Sequence, residues 1–244
     1  MKTFMDIREG VYDPNIFKAF FIAGGPGSGK SFVVKRTTGG LGMKIVNSDP
    51  AFEKMLKDAG YSTDISDLDP TVRDTIRGKA KAVTKKRRDS FVDGRLGLII
   101  DGTGKDYDKI TRQATELKQL GYDTYMIFVN TSLDVALARN RKRDRTLPEK
   151  LVNDSWKSVQ NNLGKFQALF GSGNMLIVDN SEFKEFPSVV KKGANEFMSR
   201  KIQNPIAKAW IKKEIGDVDI ILHLAAGSHV DRSIDYPMEF VLDN

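Results

Sequence analysis

Apolar residues fall into short unbroken runs, separated by stretches in which they recur every three or four positions. Five runs, at 19–23, 43–46, 96–100, 125–129 and 175–178, read as strands, the first of them a short buried one. Between them the spacing predicts helices. One follows a glycine-rich turn over 30–36, and a short one covers 51–56. Asp69 and Pro70 open a long helix with Val72, Ile76, Ala80 and Val83 on one face and a basic opposite face. A further helix carries Ile110, Ala114 and Leu117 and stops at Gly121, and a short one, capped by Ser132, carries Leu133, Ala136, Leu137 and Asn140. The last repeats Val152, Trp156, Val159, Leu163, Phe166 and Phe170 up to Gly171. Its start has Thr146 and Glu149 at capping-box spacing, with Pro148 near the first turn. Aromatic residues in that stripe are read as core. Strand and helix alternate throughout, which predicts an α/β fold with a mainly parallel sheet flanked by helices.

Composition narrows this picture without redirecting it. In 244 residues, 40% hydrophobic and 29% charged residues suit an ordinary globular chain and argue against disordered or collagen-like classes. None of the apolar runs approaches the ~20 residues of a membrane span, and residues 1–10 lack an apolar signal core, so the expectation is a cytoplasmic protein with no membrane partner. With no cysteine, disulfides and thiolate chemistry are excluded. Lys and Arg number 39 against 32 Asp and Glu, a net charge of +7 that favours anionic partners such as nucleotides or nucleic acid.

The chemistry begins at Gly24, Gly25, Pro26, Gly27, Ser28, Gly29, Lys30 and Ser31, which fit G-x-x-x-x-G-K-[ST] between a predicted strand and a predicted helix. Such a loop turns backbone N–H groups toward the phosphates of ATP. Lys30 then neutralises the β- and γ-phosphates and Ser31 ligates Mg²⁺. A dinucleotide fingerprint fits less well, because its third glycine would fall on lysine or serine. Asp49 follows the second strand, where a carboxylate can accept the proton of an attacking hydroxyl; a helix cap is the plain alternative. Asp101 ends the third run and is placed to organise Mg²⁺, unless it is simply a turn residue before Gly102. Arg139, Arg141, Lys142, Arg143 and Arg145 crowd one segment between helices. They read either as a lid closing over ATP, with Arg139 on the nucleotide, or as a solvated turn. Lys79, Lys81, Lys85, Lys86, Arg87 and Arg88 read as the solvated face of the long helix.

The phosphate-binding loop, Asn47-Ser48-Asp49, Ile99 to Thr103, and Arg139-Asn140-Arg141-Lys142-Arg143 followed by Pro148 together carry a resemblance. They look like the P-loop kinases that include zeta toxins and the kinase domain of bacteriophage polynucleotide kinase. N-x-D followed by R-N-x-K-R before a proline is nearer the polynucleotide kinase pattern. The stretch 98–103 is nearer the zeta-like branch, and stretches 12–31 and 126–171 also resemble phage proteins of this group. The resemblance implies a P-loop NTPase-type sheet, ATP as donor, Mg²⁺ and a hydroxyl acceptor. It also implies Asp49 as general base, Lys30 and Ser31 as phosphate and metal ligands, and Arg143 as the lid arginine that meets the transferring group. Host cytoplasm is the expected setting if the chain is phage-encoded.

The expected layout is a P-loop kinase domain over 10–185, a helical extension over 186–215 and a tail over 216–244. The tail, with His223-Leu224-Ala225-Ala226 and Ser228 to Ser233, resembles an internal piece of nucleotide-sugar dehydratases. It lacks the glycine fingerprint and the Y-x-x-x-K of that family, which favours a relic over a working NAD site. The favoured function is transfer of the γ-phosphoryl group of ATP to a nucleic-acid 5′-hydroxyl or a modified base. The alternatives are a zeta-toxin-like kinase of nucleotide sugars, an ATP-binding regulatory module without an acceptor, and an oxidoreductase resting on the tail alone.

Overall fold

A computed structural model describes residues 15–34, 42–65, 68–142, 146–182 and 186–215. In chain order the elements are β1 (Lys18–Ala23), α1 (Lys30–Phe32), β2 (Lys44–Val46), α2 (Asp49–Asp58), α3 (Pro70–Asp93) and β3 (Leu98–Asp101). Then come α4 (Tyr107–Gln119), β4 (Asp123–Asn130), α5 (Leu133–Arg141), α6 (Glu149–Phe170), β5 (Met175–Asp179), α7 (Phe186–Ser199) and α8 (Pro205–Ile215). All five expected strands are present and form one parallel sheet in the order β2-β3-β1-β4-β5. This is a P-loop kinase-like α/β fold.

The order sets where a ligand can bind. β1 lies between β3 and β4, so the chain leaves it toward one edge for β2 and β3 and returns to its other side for β4. Connections on the two sides diverge at the carboxyl end of β1, opening the crevice in which open α/β sheets bind ligands. The phosphate loop follows β1 directly.

Both faces of β1 are covered, which is why the whole strand is buried and reads as an unbroken apolar run. Phe20 and Ile22 join Tyr125, Ile127, Val129 and Val178 in a core that also takes Val190, Ala194, Phe197 and Met198 of α7. On the opposite face Phe21 meets Phe170 of α6, ring centroids 5.3 Å apart. A smaller cluster, Phe52 and Leu56 of α2 with Ile76 and Ala80 of α3, fastens the α2–α3 pair.

Local signals explain several boundaries. Asp69 caps α3, its carboxylate accepting from the backbone N–H of Thr71 and Val72. Ser132 caps α5 by accepting from Val135 N–H at 3.4 Å. α4 ends at Gln119, and Gly121 takes the left-handed conformation two residues on.

Two expectations are corrected. The Thr146–Glu149 capping box does not form: Pro148 holds the N-cap position of α6 without a side-chain bond, and Glu149 instead pairs with Arg141 at 2.6 Å. The basic run on α3 is not all solvated, because Arg88 is buried and reaches Glu116 of α4 at 2.9 Å. α1 covers Lys30–Phe32 and the chain stays helical, with wider turns, through Val33 and Val34; residues 35 and 36 of the expected helix lie outside the described ones.

Lys18 is the unpredicted feature of β1. The buried ammonium donates to the carbonyls of Phe197 (3.3 Å), Met198 and Arg200 (2.6 Å), at the end of α7. Helix C-terminal carbonyls lack internal partners and carry negative partial charge, so a cation there both satisfies and complements them. Contacts divide the chain into two units, one ending at Ala209 and the next beginning at Trp210; of the second, only the last turns of α8 are described.

Candidate active site

The phosphate loop closes tightly over its neighbours. Gly24 N–H donates to Thr103 O at 3.0 Å, holding the start of the loop to the segment after β3. Gly27 has φ +77°, and a Cβ there would stand 2.6 Å from Ala136 O of α5, so only glycine fits. Arg139, three residues further along α5, donates to Gly27 O at 3.2 Å. Lys30 Nζ donates to Gly25 O at 3.2 Å. Gly25, Pro26, Gly27 and Gly29 with Lys30, Ser31 and Arg139 line a cavity of about 210 Å³. The predicted loop and Arg139 therefore share one surface.

Ser28 is the exception within the loop. It is buried, and among the described residues its hydroxyl has no hydrogen-bond partner. Its carbonyl accepts from the buried Asn180 side chain at 2.6 Å, which ties the loop to the end of β5. The contribution of Ser28 is thus to the loop's shape, while the cavity wall is formed by the residues around it.

On the β3 side, Asp101 pairs in register with Ile22 of β1, which sets its carboxylate at the carboxyl end of the sheet. Burial pushes its pKa above the ordinary carboxylate value; neighbouring Asp49 adds to the rise, while Lys30 and a hydrogen bond from Asn47 oppose it. Asn47 joins the two acids. Its amide nitrogen donates to Asp101 Oδ2 at 2.8 Å, and its Oδ1 accepts from Asp49 N–H at 2.8 Å. Lys30, Asp49 and Asp101 are therefore electrostatic neighbours drawn from three segments, as expected of the shared crevice.

The helix-cap alternative for Asp49 meets a different arrangement. Ser48 occupies the N-cap position of α2, and Asp49 is the first residue inside the helix. The Asp49 carboxylate turns to α3, where Arg77 donates to Oδ1 at 2.6 Å. Neither Arg77 nor Asn180 was legible as a site residue, since nothing in their spacing marks them. The N-x-D pattern did contain Asn47, and its bridging amide supplies a physical reason for the asparagine.

Of the basic segment, Arg139 faces the loop and Arg141 is occupied by Glu149. Its two ends are clamped: the buried Asn140 donates to Leu147 O at 2.7 Å and accepts from Leu147 N–H at 3.1 Å. Arg143 and Arg145 lie outside the described residues, as does the tail over 216–244.

Mg²⁺ characteristically keeps several waters and takes only one or two protein ligands beside substrate phosphates. The donor set fits that habit. Ser31 supplies a hydroxyl on the cavity wall and Asp101 a carboxylate at the crevice, and among the described residues no three His, Asp or Glu side chains cluster into a dedicated metal cage.

A sequence profile of the AAA domain family matches residues 20–165, from β1 into α6. The chain belongs to that family. No curated protein matches it in sequence. Among solved structures, this AAA domain resembles a candidate kinase from Chloroflexus aurantiacus, at 17% identity and a TM-score of 0.52, over 73% of this chain and 97% of the other. The AvrRxo1-ORF1:AvrRxo1-ORF2 complex matches at 12% identity and TM-score 0.52, over 66% of this chain and 54% of that one. The Pnkp1/Rnl/Hen1 RNA repair complex matches at 18% and 0.50, over 62% and 47%. At these identities the likeness is one of fold. Among the described residues no helix is long and apolar enough to cross a membrane.

Proposed function

We propose that this AAA domain protein is an ATP- and Mg²⁺-dependent phosphotransferase that moves the γ-phosphoryl group to a hydroxyl, with a polynucleotide 5′-hydroxyl or a modified base as the favoured acceptor. The observation that carries the reading is the Asp101–Asn47–Asp49 chain beside the Lys30 loop, which sets a carboxylate next to a phosphate cavity. The glycine loop binds the β- and γ-phosphates through its N–H groups, and Lys30 leaves Gly25 O to neutralise them. Arg139 closes the cavity from α5 and balances charge on the bound nucleotide. Asp49 accepts the proton of the acceptor hydroxyl as that oxygen attacks the γ-phosphorus and the bond from that phosphorus to the β–γ bridging oxygen breaks, so that ADP leaves. Ser31 and Asp101 would hold Mg²⁺, which would offset negative charge on the phosphates. Arg143 would meet the transferring phosphoryl group, which is the role the resemblance implies for it.

A polyanion is favoured over a sugar nucleotide by the face of α3. Lys79, Lys81, Lys85, Lys86 and Arg87 are exposed on the helix whose Arg77 meets Asp49. A transfer screen with labelled ATP tests the reading, using 5′-hydroxyl DNA, 5′-hydroxyl RNA, hydroxymethylated DNA and nucleotide sugars. Label on the oligonucleotides is the expected result. Label on a nucleotide sugar alone would move the assignment to the zeta-like alternative, and ATP binding without transfer to any acceptor would leave a regulatory module.

A further inference from the structure

We propose that Arg77 is the positioning residue for the base: from α3, it fixes one oxygen of the Asp49 carboxylate so that the other is presented to the acceptor hydroxyl. The inference rests on the reading of Asp49 as general base and adds the group that acts through it.

The geometry is specific to these two helices. Arg77 Nη1 stands 2.6 Å from Asp49 Oδ1, while among the described residues Oδ2 has no hydrogen-bond partner. The guanidinium is itself held, because its carbon lies 4.4 Å from the ring centroid of Phe52. Phe52 is fully buried and belongs to the α2–α3 cluster with Ile76 and Ala80, the first of which is Arg77's neighbour in sequence. An aromatic face under a planar cation restricts it to few orientations. The chain of constraint thus runs from the packed core to Phe52, to the guanidinium plane, to one carboxylate oxygen.

The backbone of Asp49 is fixed from the other side by Asn47, which also holds Asp101. The charged groups near Asp49 include Arg77 on α3 and Asp101 at the end of β3, with Lys30 countering Asp101. Arg77 is the cation that offsets the repulsion between the two acids from the Asp49 side.

A merely structural ion pair makes a different forecast. Exposed pairs stabilise little, and with the Asp49 carboxylate 56% exposed and the Arg77 side chain 32% exposed, this one has little folding energy to lose. Its removal should hardly change melting. What should change is turnover, since misplacing a catalytic group by about 1 Å costs up to ~100-fold.

The experiment is a double-variant cycle on the full chain with ATP and a 5′-hydroxyl oligodeoxynucleotide, using Arg77→Ala, Arg77→Lys, Asp49→Asn and the combined Arg77→Ala/Asp49→Asn. Arg77→Ala should lower kcat by about 10-fold to 100-fold with KM for ATP unchanged. Arg77→Lys should recover only part of the loss, because a point charge lacks the planar fork. In the Asp49→Asn background, Arg77→Ala should have no further effect, as expected for residues acting as a unit. Multiplying losses in the combined variant, or normal kcat in Arg77→Ala while Asp49→Asn is impaired, would overturn the role of Arg77 and leave Asp49 as base. Undiminished transfer by Asp49→Asn, or no transfer by the unaltered chain, would overturn the base and the role of Arg77 with it. A melting loss in Arg77→Ala that Arg77→Lys fully repairs together with kcat would make the pair structural.

Discussion

Asp101 faces opposed demands: its burial disfavours charge, whereas a metal ligand must be ionised. The raised pKa comes first from burial and then from Asp49, against Lys30 and Asn47. A carboxylate whose folded-state pKa exceeds its unfolded value binds more protons when folded, so its contribution falls as pH rises through the interval between the two. Asp101→Asn removes that penalty and retains an oxygen for the Asn47 amide. The apo variant should therefore melt at or above the unaltered chain at neutral pH, with the gap shrinking as pH drops through the carboxylate range. Transfer should meanwhile be lost for want of the ligand. Melting curves from about pH 4 to 7, paired with transfer assays, check both halves; a variant less stable at neutral pH would assign Asp101 a structural role. Lys30→Ala is the complementary case. Lys30 donates to the carbonyl of Gly25 in the loop and is half-buried, so transfer should vanish with little change in melting. Near-normal transfer would contradict the proposed chemistry. The residues proposed to contact phosphate were legible because loop, lysine and serine have to be contiguous. Arg77 was not, since its partner lies 28 residues away and only tertiary packing brings them together.

Element types were legible wherever one physical cause dominated. A parallel strand buried on both faces, as β1 is, leaves an unbroken apolar run; the edge strands β2 and β5 are partly exposed, at Ile45 and Ile177, yet all five were readable, although β3 begins two residues later than the run at 96–100. Caps at Asp69 and Ser132 followed local rules; the expected box at Thr146 lost to the Arg141–Glu149 pair, a contact across α5 and α6 that no local pattern encodes. The same limitation hid Lys18. Within β1 a lysine looks like an edge residue, yet it caps the end of α7, 179 to 182 positions away. Lys18→Met keeps the apolar stem but leaves those carbonyls without their donor. It should cost about 2 to 3 kcal/mol, lowering melting by roughly 5 to 10 °C in a chain of this size. Transfer measured well below the new transition should persist, because α7 packs on the core and supplies none of the proposed site residues. Unchanged melting in Lys18→Met would show the ammonium to be dispensable to α7.

At the scale of the whole molecule, the net charge of +7 matters through its distribution. Arg139 and Lys30 serve the nucleotide cavity, Arg88 is spent on Glu116, and Arg141 on Glu149. Exposed cations also run along α3, the helix that carries Arg77 to Asp49. On a helix, residues four apart lie about 6 Å apart along the axis, so Arg77, Lys81 and Lys85 form a line leading from the base along one face. Lys85 is partly engaged by Asp89 at 2.9 Å, an exposed pair that a stronger anion can displace. If a polynucleotide lies along this line with its 5′ end at Asp49, binding releases condensed counterions, and log affinity should fall linearly with log salt, by about 0.7 per phosphate on a single strand. Two or three contacts then predict a slope of roughly −1.4 to −2.1 for a 5′-hydroxyl single strand. Lys81→Ala should flatten it by about one contact while leaving KM for ATP unchanged. The measurement is oligonucleotide affinity from low to high salt for the unaltered chain and Lys81→Ala. A slope near zero, or one that Lys81→Ala leaves intact, would remove α3 as the track and favour a compact acceptor seated at Asp49 alone.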